Sequence, residues 1–262
     1  MPKAVVVIPA RMASTRYPGK PKALIAGVPM IERVWRIAKA VPSADRVIIA
    51  TDDEGLKSFC EGFGAEVAMT SPDCLTGTDR VAEVAAKLPE YDIVFNLQGD
   101  AVLTPPHVIE ALLKTMKEEP EAPMATPIVH LKDEALESFL EKKRTGSTTG
   151  TTVVFDLKGY AMYFSKLVIP NVRDKKDFDG EPPIYRHIGL YAYRPDVLAT
   201  FASLPEGRFE RAERLEYLRL LENGIRIRCV EVDMQGRTMA SVDNFEDIAV
   251  VEDLIAKEGE LL

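Results

Sequence analysis

The sequence has few cysteines and no long apolar run. Its three cysteines, Cys60, Cys74 and Cys229, are far apart and form no CxxC pair, which argues against a disulfide framework and against a cysteine-rich zinc site. No apolar stretch approaches the roughly 18 residues that a membrane helix needs. The apolar run at residues 5–8 is short and is soon followed by Arg11, so it predicts a buried strand rather than a signal peptide. We therefore expect a reduced, cytoplasmic protein with no membrane insertion.

Positive charge is also scarce. The 262 residues include 33 Lys and Arg against 41 Asp and Glu, which gives a formal net charge of −8. This balance provides no general attraction to nucleic acid or to anionic lipid. Nucleic acid is therefore not an expected partner, and any phosphate binding must come from a local concentration of cations. The hydrophobic fraction of 46% is that of an ordinary globular chain, so a disordered or fibrous protein is excluded.

Apolar runs and helical periodicity alternate through the first half of the chain. Buried strands are predicted at residues 5–8, 46–50, 66–69 and 92–97. Helices are predicted between and after them, at residues 29–41, 54–63, 78–88 and 107–117. This alternation predicts an α/β fold with a mainly parallel, Rossmann-like sheet flanked by helices. Ligands of such sheets bind beyond the carboxyl ends of the strands.

The second half has a different pattern. A hairpin is predicted from two strands at residues 153–155 and 160–164, and helices are predicted at residues 196–202, 210–223 and 245–256. A further strand is predicted at residues 225–232. We interpret residues 1–262 as one domain, in which the insertion-like region at about 140–185 forms a smaller antiparallel subdomain for sugar binding or a dimerisation arm.

The most informative segment is the loop after the first strand. Residues 9–21 carry Arg11, Arg16 and Lys20 together with the hydroxyl of Ser14. Arg forks, a Lys point charge and loop amides are suited to the oxygens of a triphosphate. The loop has neither the glycine spacing of a Walker loop nor that of a dinucleotide fingerprint. A solvated basic loop is the alternative, but its position after a buried first strand favours phosphate binding.

Six further motifs stand in a recognisable order with this loop. The opening motif is Pro9-Ala10-Arg11-x-x-Ser14-x-Arg16-x-Pro18-x-Lys20, and the others are Ala50-Thr51-Asp52, Gly77-Thr78-Asp79-Arg80, Asn96-Leu97-Gln98-Gly99-Asp100, Tyr160 to Ser165, Arg186 to Tyr191, and Val242-Asp243. Together they resemble the sugar-activating cytidylyltransferases, and most closely the 3-deoxy-manno-octulosonate (Kdo) cytidylyltransferase family. The resemblance covers nearly the whole chain.

The resemblance implies an enzyme that transfers CMP from CTP to a 2-keto-3-deoxy acid sugar and releases pyrophosphate. It implies catalytic roles for Arg11, Lys20 and Asp100, and Mg²⁺ binding by Asp100 and Asp243. The nucleotide-binding residues that it implies are Ala10, Arg11, Ser14, Arg16, Lys20, Thr51, Thr78, Arg80 and Gln98. The sugar-binding residues that it implies are Gln98, Arg173, Arg186, His187 and Glu216. It also implies a homodimer whose product supplies lipopolysaccharide or capsule assembly.

Several of these residues also have simpler structural interpretations. A lone Asp after a strand, such as Asp243, is more often a turn or a helix cap. Thr78 is expected to cap a helix. His187 precedes an apolar strand and is as readily a structural residue with satisfied hydrogen bonds. Without the resemblance, Glu216 would be interpreted as a charge on a helix surface.

The sequence departs from the family pattern mainly on the sugar side. Ala101-Val102 follows Asp100 where the family usually has Glu or Gln and then Pro, and Tyr217 stands where a sugar-facing amide is usual. A site that binds one hydroxyl or amine can strongly reject an analogue without it. The acceptor is therefore open between Kdo, its 8-amino analogue and another acid or phosphonate. A non-catalytic nucleotide-binding protein is a weaker alternative.

Overall fold

The computed structural model describes residues 1–13, 17–147, 149–179 and 181–261. Ser14 and Arg16, two of the predicted nucleotide-binding residues, lie outside the described residues. No helix in the described ranges is long and apolar enough to cross a membrane. The three cysteines are free thiols.

The first half of the chain forms the predicted parallel sheet. Its strands are β1 (Ala4–Pro9), β4 (Arg46–Thr51), β5 (Glu66–Met69) and β6 (Ile93–Asn96), and the helices among them are α1 (Met30–Lys39), α2 (Glu54–Glu61), α3 (Gly77–Ala85) and α4 (Pro106–Glu118). Strand β1 pairs in parallel with both β4 and β6. Val6 and Ile8 enter one core, whereas Val5 and Val7 enter the core on the opposite face. This explains the unbroken apolar run, because a strand covered by helices on both faces has no polar side.

The second half extends the same sheet with antiparallel pairs. Its strands are β7 (Met124–His130), β8 (Thr151–Phe155), β9 (Ala161–Ser165), β10 (Tyr185–His187), β11 (Tyr191–Tyr193) and β12 (Arg228–Glu231). The order across the sheet is β5-β4-β1-β6-β11-β7-β10-β8-β9, and β12 pairs with β7 in parallel. A separate small sheet joins β2 (Leu24–Ile25) to β3 (Val28–Pro29). The predicted α/β class is confirmed, with a parallel half and an antiparallel half in one sheet.

The region predicted as an insertion is continuous with the main sheet. Its helix α5 (Asp133–Arg144) leads into β8 and β9, which lie at the far edge of the sheet. A small apolar core, separate from the two main ones, joins α5 to the end of this region and is formed by Leu131, Leu136, Phe139 and Ile184. A role in sugar binding or in dimerisation stays a prediction.

In the second half one strand was missed and one predicted helix is wrong. Strand β7 is at the centre of the sheet but was not predicted, because Pro127 interrupts its apolar pattern and proline is uncommon in central strands. The Pro127 carbonyl still accepts a hydrogen bond from the Ile188 amide, 3.1 Å away. The single helix predicted at residues 210–223 is two helices, α7 (Arg208–Glu213) and α8 (Leu218–Glu222), because Arg214 takes the left-handed conformation with φ 56°. The remaining helices are α6 (Pro195–Ser203) and α9 (Asp247–Glu258).

Candidate active site

A cavity of about 180 Å³ opens at the carboxyl ends of β1 and β6. The loop after β1 contributes Ala10 and Arg11, and the loop after β6 contributes Gln98 and Asp100. These two loops approach closely at Gly99, where a Cβ atom would lie 2.8 Å from the carbonyl oxygen of Pro9. No residue with a side chain fits there without moving backbone, so this glycine lets the two polar loops form one wall.

Lys20 is held at the centre of this cavity. Its backbone forms a 3₁₀ turn, Lys20–Lys22, which follows Gly19 in the left-handed conformation. The ammonium Nζ donates hydrogen bonds to Asp100 Oδ2 at 2.7 Å and to the Val242 carbonyl at 2.6 Å. It therefore joins the loops that follow β1 and β6 to the loop that carries Asp243. From this position the Lys20 ammonium could turn from the Asp100 carboxylate to a phosphate oxygen of a ligand by rotation of its own side chain.

The cavity also brings the two predicted metal ligands together. Asp100 and Asp243, which are distant in the sequence, both line it. Among the described residues there is no group of three acidic, histidine or cysteine side chains that could hold an ion alone. Magnesium commonly uses one or two carboxylates and completes its shell with water and substrate phosphates. The two aspartates therefore fit a metal that arrives with a nucleotide, and they do not form a closed metal cage.

Arg80 reaches the cavity from helix α3. Its side chain is 3% exposed and forms an ion pair with Asp52 Oδ2 at 3.1 Å. It also contacts the hydroxyl of Thr70. Both partners hold the guanidinium at the wall instead of in solvent. Asp52 was missed as a site residue because its contribution depends on a contact with a residue 28 positions later.

The cap of α3 differs from the predicted one. Thr76 is the N-cap: its hydroxyl accepts from the Asp79 amide at 3.1 Å, and the Asp79 carboxylate accepts from the Thr76 amide at 2.9 Å. Thr78 is therefore not the cap but lies inside the helix, 1% exposed. The cap lies two residues earlier than predicted, because Thr76 and Asp79 together form a capping box. Thr51, another predicted nucleotide-binding residue, is fully buried, and its hydroxyl accepts from the Asp53 amide at 3.2 Å.

A second cavity, of about 530 Å³, adjoins the first. Gln98 and Asp100 line both cavities, so the two share a wall. Arg186 and Arg237 are the cations of the second cavity, and Asp100 is the one acidic residue among its described lining residues. Arg237 donates to the carbonyl oxygens of Gly259 at 2.7 Å and Glu260 at 3.3 Å, so its positive charge is not cancelled by these partners. This cavity is suited to an anion.

The predicted sugar-binding residues are divided by the structure. Gln98, Arg186 and His187 line the second cavity. Arg173 is exposed, on the segment after β9, and does not line either cavity. Glu216 lies in the turn between α7 and α8, partly buried, and also lines neither cavity. Arg237 was missed because it lies outside the recognised motifs.

His187 is held on both ring nitrogens by other side chains. Thr126 donates its hydroxyl proton to the Leu190 carbonyl at 2.9 Å, so its oxygen accepts from His187 Nε2, also at 2.9 Å. His187 Nδ1 is then the acceptor for the Tyr217 hydroxyl at 3.2 Å. Burial, with a smaller contribution from the charge of Arg186, lowers the pKa of His187 to about 3. The ring is therefore a neutral Nε2–H tautomer that forms part of the cavity wall.

Tyr217 has a different position from the one that its alignment with a sugar-facing amide suggested. Its ring is 4% exposed and packs against Phe164 and His187, with ring centroids 4.7 Å apart in both pairs. It is absent from the described lining of the second cavity. Its hydroxyl acts on the site through His187. Ala101, the other departure, does line this cavity and leaves an apolar patch beside Asp100.

We predict that His187 makes the protein less stable in mild acid. Histidine in the unfolded chain has a pKa near 6.5, whereas the folded value is about 3. The unfolded state thus binds more protons between these values, and the free energy of unfolding falls as the pH is lowered through this window. From pH 7 to pH 5 the loss due to this residue is about 2 kcal/mol. Urea unfolding at both pH values measures it, and His187→Gln should lose about 2 kcal/mol less than the wild type. An equal loss in the two proteins would contradict this assignment.

Comparisons with known proteins agree with this geometry. The family model for cytidylyltransferases matches residues 5–227. A 3-deoxy-manno-octulosonate cytidylyltransferase of Maricaulis maris is 50% identical over 259 residues, which cover 98% of this chain and 99% of the relative. An 8-amino-3,8-dideoxy-manno-octulosonate cytidylyltransferase of a Shewanella species is 40% identical, over 96% of this chain and 98% of the relative.

A solved structure of a related enzyme is also similar to this chain. A CMP:2-keto-3-deoxy-manno-octonic acid synthetase, solved in complex with CTP, superposes with a TM-score of 0.85 at 38% identity, covering 98% of this chain and 99% of the other. The family model covers most of the chain, and the relatives match almost end to end. On these findings the chain belongs to the cytidylyltransferase family.

Proposed function

We propose that this protein transfers CMP from CTP to Kdo and releases pyrophosphate. The observation that carries the proposal is the pair of adjoining cavities that share Asp100 and Gln98. The first has the cations and small loop residues that bind a triphosphate, and the second has the cationic lining that suits an acid. Their common wall is where a nucleotide and an acceptor would meet. A protein that only bound nucleotide would have no use for the second cavity.

The chemistry is a displacement at phosphorus. The anomeric hydroxyl oxygen of the acid sugar attacks the α-phosphorus of CTP and gives its proton to solvent, while the bond from that phosphorus to the pyrophosphate oxygen breaks and pyrophosphate leaves. The residues contribute mainly position and charge. Lys20 and Arg11 stabilise the negative charge that grows on the phosphate oxygens. Arg186 binds the sugar carboxylate, since a guanidinium pairs with a carboxylate through two hydrogen bonds. Among the described residues no carboxylate forms an ion pair with Arg186, so its charge is available.

We also infer that the enzyme uses Mg²⁺, held by Asp100 and Asp243. Both carboxylates face the nucleotide cavity, and their number is the one expected for a metal that shares its ligands with phosphate. The ion would reduce repulsion between the triphosphate and the incoming anion. Lys20 is already bonded to Asp100, and this pair orients the carboxylate before any ligand binds.

The charge of the second cavity favours Kdo over the 8-amino analogue. An ammonium group on the sugar would enter a cavity with two arginines and with Asp100, whose Oδ2 already accepts from Lys20. Its other described lining residues provide no carboxylate to pair with that charge. A buried cation without a partner is costly. A hydroxyl group has no such cost.

The test is pyrophosphate release from CTP and Mg²⁺ with Kdo, 8-amino-Kdo and a sialic acid in parallel. We expect turnover with Kdo, with kcat/KM at least about 10-fold below it for 8-amino-Kdo at pH 7, because the unpaired ammonium costs more than about 1.4 kcal/mol. Preference for the amine would assign the acceptor to the aminated class. No release with any of the three acids, together with CTP binding by calorimetry, would support a non-catalytic nucleotide-binding protein instead.

Free thiols agree with a reduced compartment, and we propose the cytoplasm. The product would supply lipopolysaccharide assembly. We propose a homodimer, and the exposed side chain of Met162 on the edge strand β9 is a candidate contact because exposed apolar edges are usually covered.

A further inference from the structure

Glu216 is connected to the catalytic wall by a chain of buried polar side chains. Its Oε1 accepts from the Thr78 hydroxyl at 3.4 Å, and the same Thr78 oxygen accepts from Asn96 Nδ2 at 3.3 Å. Asn96 Oδ1 in turn accepts from Gln98 Nε2 at 2.9 Å. Thr78 and Asn96 are each 1% exposed, so water does not compete for these contacts. The chain starts at the turn between α7 and α8 and ends at the wall shared by the two cavities.

Every hydrogen bond in this chain has a direction. Burial raises the pKa of Glu216, and the hydrogen bond from Thr78 and the charge of Arg219 oppose that rise by favouring the carboxylate. The carboxylate has no proton and can only accept, so in this form Thr78 donates to Glu216. Having used its proton, Thr78 can only accept from Asn96, which must present its amide nitrogen to Thr78 and its oxygen to Gln98. Gln98 must then use its amide nitrogen for Asn96. The remaining group, the Gln98 oxygen Oε1, is left to face ligands.

We propose that Glu216 is a positioning residue that fixes the orientation of the Gln98 side-chain amide through Thr78 and Asn96. This role deepens the proposed function and rests on it, because Gln98 lines both the first cavity, proposed for CTP, and the second cavity, proposed for the acid sugar. Glu216 itself is not among the described residues that line either cavity. The Gln98 oxygen is thereby presented as a hydrogen-bond acceptor to a sugar hydroxyl or to the cytidine amino group.

The fold supports this role at both ends of the hydrogen-bonded series, at Glu216 and at Gln98. The break at Arg214 separates α7 from α8, and Glu216, in the turn between them, reaches Thr78 on α3. At the other end, Gly77 leaves space for Gln98, because a Cβ atom on Gly77 would lie 3.0 Å from Gln98 Oε1. Thr78 is the next residue after Gly77. The central member of the hydrogen-bonded series is therefore adjacent in sequence to the glycine that packs against Gln98. Glu216, in the turn between α7 and α8, and Gln98, in the loop after β6, are thus connected through α3.

The test is a double-mutant cycle on Glu216 and Thr78, the first two members of the hydrogen-bonded series. Glu216→Gln offers Thr78 an amide that can also donate, and Thr78→Val removes the hydroxyl with little change in shape. We expect each to lower kcat/KM for Kdo about 10-fold or more, and we expect the double variant to be no worse than the poorer single variant, because both break the same chain. Thr78→Ser keeps the hydroxyl and should restore most of the activity that Thr78→Val loses. Glu206→Gln, the same change at an exposed position, is the matched control.

Other outcomes overturn the proposal. Loss of activity in Glu216→Gln with wild-type activity in Thr78→Val would mean that Glu216 contacts the sugar itself. Losses that multiply in the double variant would mean that the two residues act independently. Either result leaves the proposed CMP transfer intact, because the wild type still turns over.

A ligand-free measurement separates this proposal from the proposed function. The side-chain amide resonances of Gln98, observed by ¹⁵N NMR, report the hydrogen bond to Asn96 in the absence of substrate. We expect them to shift in Glu216→Gln and in Thr78→Val, and not in Glu206→Gln. Unchanged resonances in both buried variants would overturn the chain even if the wild type transferred CMP to none of the acids tested. A thermal unfolding curve for each variant establishes that it is folded.

Discussion

Replacing Lys20 by alanine should lower the turnover number for CMP transfer by about 100- to 1,000-fold. This is the usual effect of removing one preorganised donor that stabilises growing negative charge. Lys20 contacts both Asp100 and the Val242 carbonyl, so its ammonium sits between the two loops that provide the predicted metal ligands. No other described cation is bonded to both loops. The measurement is steady-state pyrophosphate release at saturating CTP, where weakened CTP binding does not contribute.

Lys22 provides a matched control for this prediction. It lies in the same 3₁₀ turn, but its Nζ donates to the Gly55 carbonyl at 3.3 Å, away from the cavity. Lys22→Ala should therefore keep turnover within about threefold of the wild type, while both variants keep the wild-type circular dichroism spectrum. A Lys20→Ala enzyme with normal turnover would remove Lys20 from the chemistry and leave it as a structural link between loops.

The parallel half of the fold could be predicted because its signal is local. Strand β1 is an apolar run buried on both faces, and the helices between the strands have clear periodicity. Strand β7 could not be recognised, because Pro127 is tolerated only through contacts with residues more than 60 positions away. The helix break at Arg214 was missed for a similar reason. Leu215 and Tyr217 are buried there by packing against the antiparallel half, and that tertiary contact overrides helical periodicity.

The site was predictable where one loop carries the chemistry. The cluster of Lys20 and Arg11 is visible in the sequence, and the structure places both residues on the cavity. The residues that hold the site in shape were missed, since Asp52 acts on Arg80, and Thr126 acts on His187, only after folding. Hydrogen-bond direction is also a property of the folded state. It changes the interpretation of Tyr217 from a sugar contact to a support for the His187 ring.

Asp100 has a more demanding position than Lys20, because its carboxylate serves both cavities. It accepts from Lys20 at 2.7 Å and lines the first cavity together with Asp243. It is also the one acid among the described residues that line the second cavity. Asparagine has almost the same shape and can still accept from Lys20, but it has no negative charge. The change therefore tests the charge and leaves the packing and the loop connection in place.

We expect Asp100→Asn to reduce turnover by at least about 100-fold and to remove the response to Mg²⁺. Calorimetry should show that the variant still binds CTP without metal, because the triphosphate loses a repulsive neighbour. The tightening of CTP binding on addition of Mg²⁺, expected for the wild type, should disappear. Asp253→Asn, an exposed position on α9, is the control and should keep both properties.

The two measurements together locate the metal. Loss of turnover with normal Mg²⁺-dependent CTP binding would give Asp100 a role toward the acceptor and leave the ion to other groups. Retained, Mg²⁺-dependent turnover would place the metal away from Asp100 altogether. Loss of both would place the ion that accompanies the nucleotide at this carboxylate. That last outcome is the expected one, because Asp100 is the acidic residue that the described walls of the two cavities have in common.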